Sequence, residues 1–221
     1  MRPTWPIARL LLPCTLAAGL LLAGSAQDTP SPPLCCGAIT PQGKHLLQTI
    51  DGMDVEHLWQ SHFHVDWETG EKTTGEYLDG RTHTHCSQFA AAVGQRLGVY
   101  MLRPPDHSPD LLASAQGEWF GSKAGQAQGW YAVKSSREAQ TLANQGALVV
   151  LVYINPHPDI SGHIVVVRPE DRSEEALNRD GPATAQAGKE NFSKGNARRS
   201  FETHKGAWPS KILMFAHAPP A

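Results

Sequence analysis

Three features of the sequence predict an α+β fold. Apolar residues recur at helical spacing through the first two thirds of the chain, and β-branched runs dominate after residue 146. The two kinds of element are segregated along the chain rather than alternating, and no internal repeat is present.

At the N-terminus, Arg2 and Arg9 flank a positive segment, and residues 10–23 form an apolar run ending in Gly24-Ser25-Ala26. Charge, apolar run and small residues together are the layout of a secretory signal peptide, so cleavage after Ala26 is expected. The apolar run is shorter than the roughly 20 residues that a spanning helix needs. Residues 27–43, beginning QDTPSPP, are expected to be a flexible Pro/Ser-rich tether, and residues 44–221 one folded domain. The expected location is secreted or periplasmic, without stable membrane insertion.

Within the domain, residues 44–60 carry apolar positions at loose helical spacing, split by Asp51-Gly52. Residues 61–85 are polar and rich in Gly and His, which predicts an irregular loop. A helix is expected from Cys86, with Phe89, Ala90, Val93 and Leu97 on one face and Gly98 as its stop. A second begins at Pro109 and runs to Trp119, followed by a Gly-rich connection over 121–130. Ser135 to Glu138 is a capping box, opening a helix that Gly146 closes.

The period then changes. Residues 147–154 (ALVVLVYI) and 162–168 (GHIVVVR) are apolar β-rich runs joined by turn residues, which predicts an antiparallel hairpin. Their unbroken apolarity predicts cover on both faces. Residues 211–217 supply a third strand and 182–187 a fourth.

Composition excludes several classes of function. The 221 residues include 19 Lys+Arg and 21 Asp+Glu, a formal charge of −2. Loss of Arg2 and Arg9 with the leader would leave 17 basic residues and −4. A nucleic-acid partner, which favours a basic excess, is not expected. Four cysteines are too few for a disulfide scaffold. Neighbouring cysteines seldom bond to each other, so Cys35 and Cys36 are expected to stay reduced or to form intermolecular bonds.

Cys14 lies within the apolar run and would leave with the leader, so Cys86 is the remaining candidate for chemistry. Cys86 opens a helix, where unpaired N–H groups and a partial positive charge favour a thiolate, so a thiol pKa below the usual value of roughly 8.5 is expected. His163 opens a strand otherwise made of Ile and Val, beside Gly162, which permits close approach of another group. Together they form the nucleophile and base of a cysteine hydrolase. The base needs an orienting partner, and either Gln186 or Asn191 can accept its ring N–H.

A second set of residues offers a different chemistry. His62, His64, His83 and His85 contain ligand types that suit zinc, which would make a metallohydrolase. No Cys-x-x-Cys or His-Glu-x-x-His motif accompanies them. A third reading is a non-catalytic module that binds cell wall. Trp59, Trp67, Trp119, Trp130, Tyr131 and Trp208 are candidates to line a groove.

The order Cys at a helix start (HCSQFAAAVGQRLG), Gly-His opening a strand (GHIVVVRP), then a polar residue on the next strand resembles the NlpC-type and CHAP-type papain-like cysteine peptidases and amidases. Cys86-Ser87-Gln88-Phe89 and Gly162-His163-Ile164 are the matching pieces, and the resemblance spans about residues 55–217. It implies a papain-like core, a Cys-bearing helix packed on a small antiparallel sheet. It also implies Cys86 as nucleophile, His163 as general base and Gln186 or Asn191 as orienter. The implied reaction is hydrolysis of amide bonds in the stem peptides of peptidoglycan, by a monomer and without a cofactor. Two features depart from the family pattern: His85 and Ser87 flank the cysteine, and residues 170–180 insert a charged loop before Gln186.

Overall fold

Helices and two antiparallel sheets make up a mixed α+β structure, seen in a computed structural model that describes Met1 and residues 34–219. The expected leader, the small residues at its cleavage site and the tether through residue 33 lie outside the described residues. All of 34–219 belongs to one compact unit.

Residues 34–40 do not behave as the end of a tether. Cys35 donates its N–H to Arg172 O, and Arg137 donates to Cys35 O. The buried Asn144 side chain donates to Gly37 O and to Glu170 O, and its backbone carbonyl accepts from Thr40. A segment whose backbone groups are paired in this way is ordered by them, although its composition reads as linker. Cys35 and Cys36 are disulfide-bonded to each other, contrary to expectation, and Cys86 is the free cysteine among the described residues.

Helix α1 (Pro41–Asp51) starts three residues earlier than its apolar spacing suggests. Pro41 occupies the first turn and the Thr40 side chain caps it by accepting from the Gly43 N–H. The chain then turns through Asp54 and Trp59, both at positive φ, to a ribbon of β1 (Phe63–Val65) and β2 (Lys72–Glu76). This ribbon lies in the segment expected to be irregular. Its second strand, KTTGE, is exposed throughout and so carries no alternating apolar signal. Gly70 (φ +75°) turns the chain against Trp59, where a Cβ would stand 2.3 Å from the indole.

Helix α2 (Cys86–Arg96) is buried from Cys86 to Gly94 and is the central helix, packed on the main sheet and against its helical neighbours. Small alanines on several sides let it enter a fully enclosed position. Helix α3 (Leu112–Gly121) follows. The Gly-rich connection proves to contain α4 (Lys123–Ala127), capped by Ser122, and β3 (Trp130–Ala132). Helix α5 (Ser136–Asn144) is capped by Ser135, which accepts from the Glu138 N–H. Glu138 reaches back to the Lys134 N–H, one residue beyond the usual capping box.

The main sheet comprises β3, β4 (Leu148–Tyr153), β5 (His163–Val167), β6 (Ala183–Ala187), β7 (Asn191–Asn196) and β8 (Ile212–His217), in the order β3-β8-β4-β5-β6-β7. Every pairing is antiparallel. The expected hairpin of β4 and β5 forms with Tyr153 opposite His163, and both strands are buried along their whole length. Strand β8 pairs β4 on its other side, so β4 is central. The charged loop before β6 folds as α6 (Glu174–Asp180) with Ser173 as its cap, and the short α7 (Ala197–Ser200) follows β7. Among the described residues no helix is long and apolar enough to cross a membrane.

Asn144→Ala removes the amide that ties residues 34–40 and the segment after β5 to α5. Loss of a buried partner costs about 1–3 kcal/mol. The variant is expected to unfold at correspondingly lower urea and to be cut faster by protease between residues 34 and 40.

Candidate active site

The end of β5 that follows the long β4–β5 turn is where the chemical residues converge. Gly162 approaches β4 so closely that a Cβ would lie 2.1 Å from Tyr153 O, and its N–H donates to the Ser114 hydroxyl on α3. Only glycine fits there, and the fit places His163 at the mouth of the strand. Strand β6 pairs β5 at Val166 and Val167, leaving the first residues of β5 free of that neighbour.

Across this opening His163 Nε2 meets Gln186 Oε1 at 2.9 Å. The Gln186 amide is itself oriented, because its Nε2 donates to Glu190 O at 2.9 Å. Oxygen therefore faces the ring, which makes His163 Nε2 the protonated nitrogen and Nδ1 the free base. Both side chains are buried, with 4% and 5% of their surface exposed. Burial pushes the His163 pKa down to about 4, against the hydrogen bond to Gln186, which raises it. The ring is neutral at physiological pH.

Asn191 does not share this role. It stands opposite Ala187 in the β6–β7 pair and donates its amide to Val55 O, Leu58 O and Trp59 O. Three acceptors occupy that NH2 group and hold the turn after α1 against β7. Of the two amides proposed from sequence, the structure brings Gln186 to the imidazole.

Cys86 lies at the first residue of α2, and its N-cap, His85, makes no side-chain capping bond. The unused N–H groups of the first turn are thus available to the sulfur. The Ile164, Ser87 and Cys86 N–H groups and the Thr84 hydroxyl all favour its anion. Ile164 directly follows His163, so the thiol sits against the start of β5. Burial nevertheless dominates and raises the Cys86 pKa, reversing the lowering expected from the helix terminus. At rest the Cys86 thiol and the His163 imidazole are both neutral.

A cleft of about 1430 Å³ opens over this region, lined by His163, Gln186, Gly162, Thr84 and Tyr77 among others. Cys86 is not among its lining residues and is 3% exposed. Leu111, at φ +57°, also lines the cleft, a left-handed conformation that costs a non-glycine residue about 1–2 kcal/mol. None of the aromatics weighed as groove candidates, Trp59, Trp67, Trp119, Trp130, Tyr131 and Trp208, lines this cleft. Trp59 and Trp130 are wholly buried, and the ring systems of the cleft are Tyr77, Phe192, His83, His163 and His204.

The histidines considered as zinc ligands have other work. His85 is buried, with Nε2 donating to Phe63 O and Nδ1 2.7 Å from the Gln88 side-chain amide. His64 and His83 stack on Tyr77, each with ring centroids 3.7 Å apart, and His83 donates to Asp79 at 2.8 Å. His62 is exposed and tied by its backbone to His83 O and Tyr77 N. Among the described residues no group of three His, Cys, Asp or Glu side chains is arranged to hold a metal ion.

Sequence reasoning missed His204 and Phe201, whose rings pack on His163. They lie in a polar segment, RSFETHKG, that has no periodicity. Only the path of the chain after α7 brings them to the site. No family model matches the chain, and no curated protein matches it significantly.

Two outcomes follow from the buried neutral pair. Because His163 titrates near 4 when folded and near 6.5 when unfolded, the unfolded state takes the proton first as pH falls. Stability is therefore full above pH 6.5 and declines by about 3 kcal/mol on approaching pH 4. Urea titrations at pH 7 and pH 4.5 should show the loss, and His163→Gln should reduce it. Secondly, Cys86 should react slowly with iodoacetamide at pH 7 in the native protein and rapidly once unfolded, as read by mass spectrometry of the labelled peptide.

Proposed function

We propose that the chain is a cysteine hydrolase with a papain-like core, cleaving amide bonds in peptidoglycan stem peptides after export by its N-terminal leader. The observation that carries this reading is the His163 Nε2 to Gln186 Oε1 hydrogen bond, formed where Cys86 meets the start of the same strand. The packing of α2 on β5 and β6 supports the papain-like assignment, since the family resemblance expects the cysteine helix on an antiparallel sheet.

In this reading Cys86 attacks the amide carbonyl while its proton passes to Nδ1 of His163. The negative charge on the carbonyl oxygen is met by the Cys86 backbone N–H at the uncapped start of α2. Gln186 holds the ring through Nε2–H and stabilises the imidazolium. That imidazolium protonates the leaving amine as the C–N bond breaks, leaving a thioester. Water then attacks the thioester, giving a proton to Nδ1. The C–S bond breaks and the proton returns to sulfur.

Neutral partners suit a site that is closed at rest. A preformed thiolate–imidazolium pair would have to survive burial, whereas here charge develops only when the substrate supplies a carbonyl to receive it. Binding must also uncover the sulfur, so substrate contacts along the cleft contribute to catalysis as well as to affinity.

The test is incubation of the mature protein with purified peptidoglycan, with new amino termini quantified by derivatisation. The wild type should release them, and Cys86→Ala should abolish release. His163→Ala should lower the rate by about 10²–10⁴-fold. Gln186→Ala should lower it by about 5- to 150-fold, the equivalent of one buried hydrogen bond of about 1–3 kcal/mol. Release that survives Cys86→Ala and stops with a chelator would replace the thiol mechanism by a metal one.

A further inference from the structure

The proposed scheme leaves unused two side chains that enclose the base. Phe201 meets the His163 ring edge-on, with centroids 5.5 Å apart and planes at 78°. His204 lies nearly parallel to it, at 5.1 Å and 12°. His204 rests in turn on Tyr153, the residue paired with His163 across the hairpin, at 5.3 Å. Phe201 is fully buried, whereas His204 is half-buried and lines the cleft.

We infer that His204 is a positioning residue that closes the cleft side of His163, keeping its ring dry and fixing the ring plane so that Nε2 stays on Gln186. One hydrogen bond does not hold a flat ring, because the terminal torsion of a histidine is broad and permits rotation about the bond axis. An edge contact on one side and a parallel ring on another remove that freedom. His163 and His204 both border the cleft, and the His204 ring covers one face of His163, so its removal opens that face of an imidazole that is otherwise 4% exposed.

The electrostatics agree with the geometry. His204 is itself pushed down to about 4, by burial first and by His163 second, so two neutral rings stack without charge repulsion. The titratable groups on the buried side are Cys86 from α2 and Tyr153 from β4. On the cleft side are Tyr77, Asp79, Arg81, His83 and Asp110 from the segments before α2 and α3, Asp159 from the β4–β5 turn, Lys189 from the β6–β7 turn, the Arg199–Glu190 pair, and Glu202 near His204 in sequence. The cleft-side charges lie in the open cleft, where solvent screens them. Dryness of the ring, rather than any one of these charges, is what His204 controls.

The consequence for rate rests on the reading of His163 as the base, but the closing role itself does not. The test is therefore an NMR titration of the His163 imidazole in wild type, His204→Phe and His204→Ala, run beside peptidoglycan hydrolysis. In His204→Phe the ring is retained, and His163 should titrate near 4 in a single step. In His204→Ala water enters, and His163 should bind protons at least tenfold more tightly. The alanine variant should lose at least tenfold in kcat with KM little changed, and phenylalanine should recover most of that loss. Unaltered His163 titration in His204→Ala overturns the proposal. Should that variant fail to fold, His204→Phe decides, and a His163 titrating near 6.5 in it overturns the proposal. Shifts as expected with no hydrolysis by any form, wild type included, support the closing role while removing the hydrolase reading.

Discussion

One buried hydrogen bond, from His163 Nε2 to Gln186 Oε1, orders the rest of the site. It requires β5 and β6 to be neighbours in the sheet, and it requires the Gln186 amide to present oxygen rather than nitrogen. The second condition is met by a backbone carbonyl, Glu190 O, in the tight turn into β7. Gly188 serves the same turn, since a Cβ there would stand 2.8 Å from the Gln186 nitrogen. The tautomer of His163 is thus set by main-chain geometry two strands from the cysteine. Free Nδ1 follows from occupied Nε2, and a nitrogen able to take a thiol proton follows from that.

The state of Cys86 illustrates why magnitudes decide between opposing effects. A helix N-terminus favours an anion by about 0.3–1 kcal/mol at exposed sites and up to about 2 when partly buried. Full burial moves a pKa by as much as 3–5 units, each worth about 1.4 kcal/mol. At 3% exposure the second effect wins, and the thiol is pushed up although three backbone N–H groups and a hydroxyl favour its anion. The same donors gain importance once substrate displaces neutral surroundings with a developing charge. They are pre-aimed, so they need no rearrangement when the charge appears. A site of this kind is quiet when empty, as the proposed mechanism requires.

Much of the fold was legible because apolar spacing reports burial directly. The runs ALVVLVYI and GHIVVVR predicted the two central strands, and Ser135 with Glu138 predicted the start of α5. The ribbon of β1 and β2 was not legible, because β1 is only three residues long and KTTGE, exposed throughout, carries no alternation. Helix α1 began early because a cap and a proline, rather than apolar residues, set its start. At the candidate site, Cys86 and His163 stood out by residue type at element boundaries, whereas Gln186 and Asn191 stood level as partners for the ring. Choosing Gln186 over Asn191 needed the register of β6 with β7, which sequence spacing does not contain. The pairing of Cys35 with Cys36 and the docking of residues 34–40 were equally hidden, since they depend on distant partners in α5 and in the segment before α6.

The proposed mechanism requires Cys86 to form a covalent bond to substrate while His163 moves the proton. The most direct measurement is intact-mass analysis of the mature protein, mixed with a soluble stem peptide and quenched in acid within the first turnovers. A thioester adduct of the acyl fragment should map to Cys86, absent from Cys86→Ala and delayed in Gln186→Ala. Peptide cleavage with no adduct in the wild type, and with equal rates in Cys86→Ala, would contradict the mechanism.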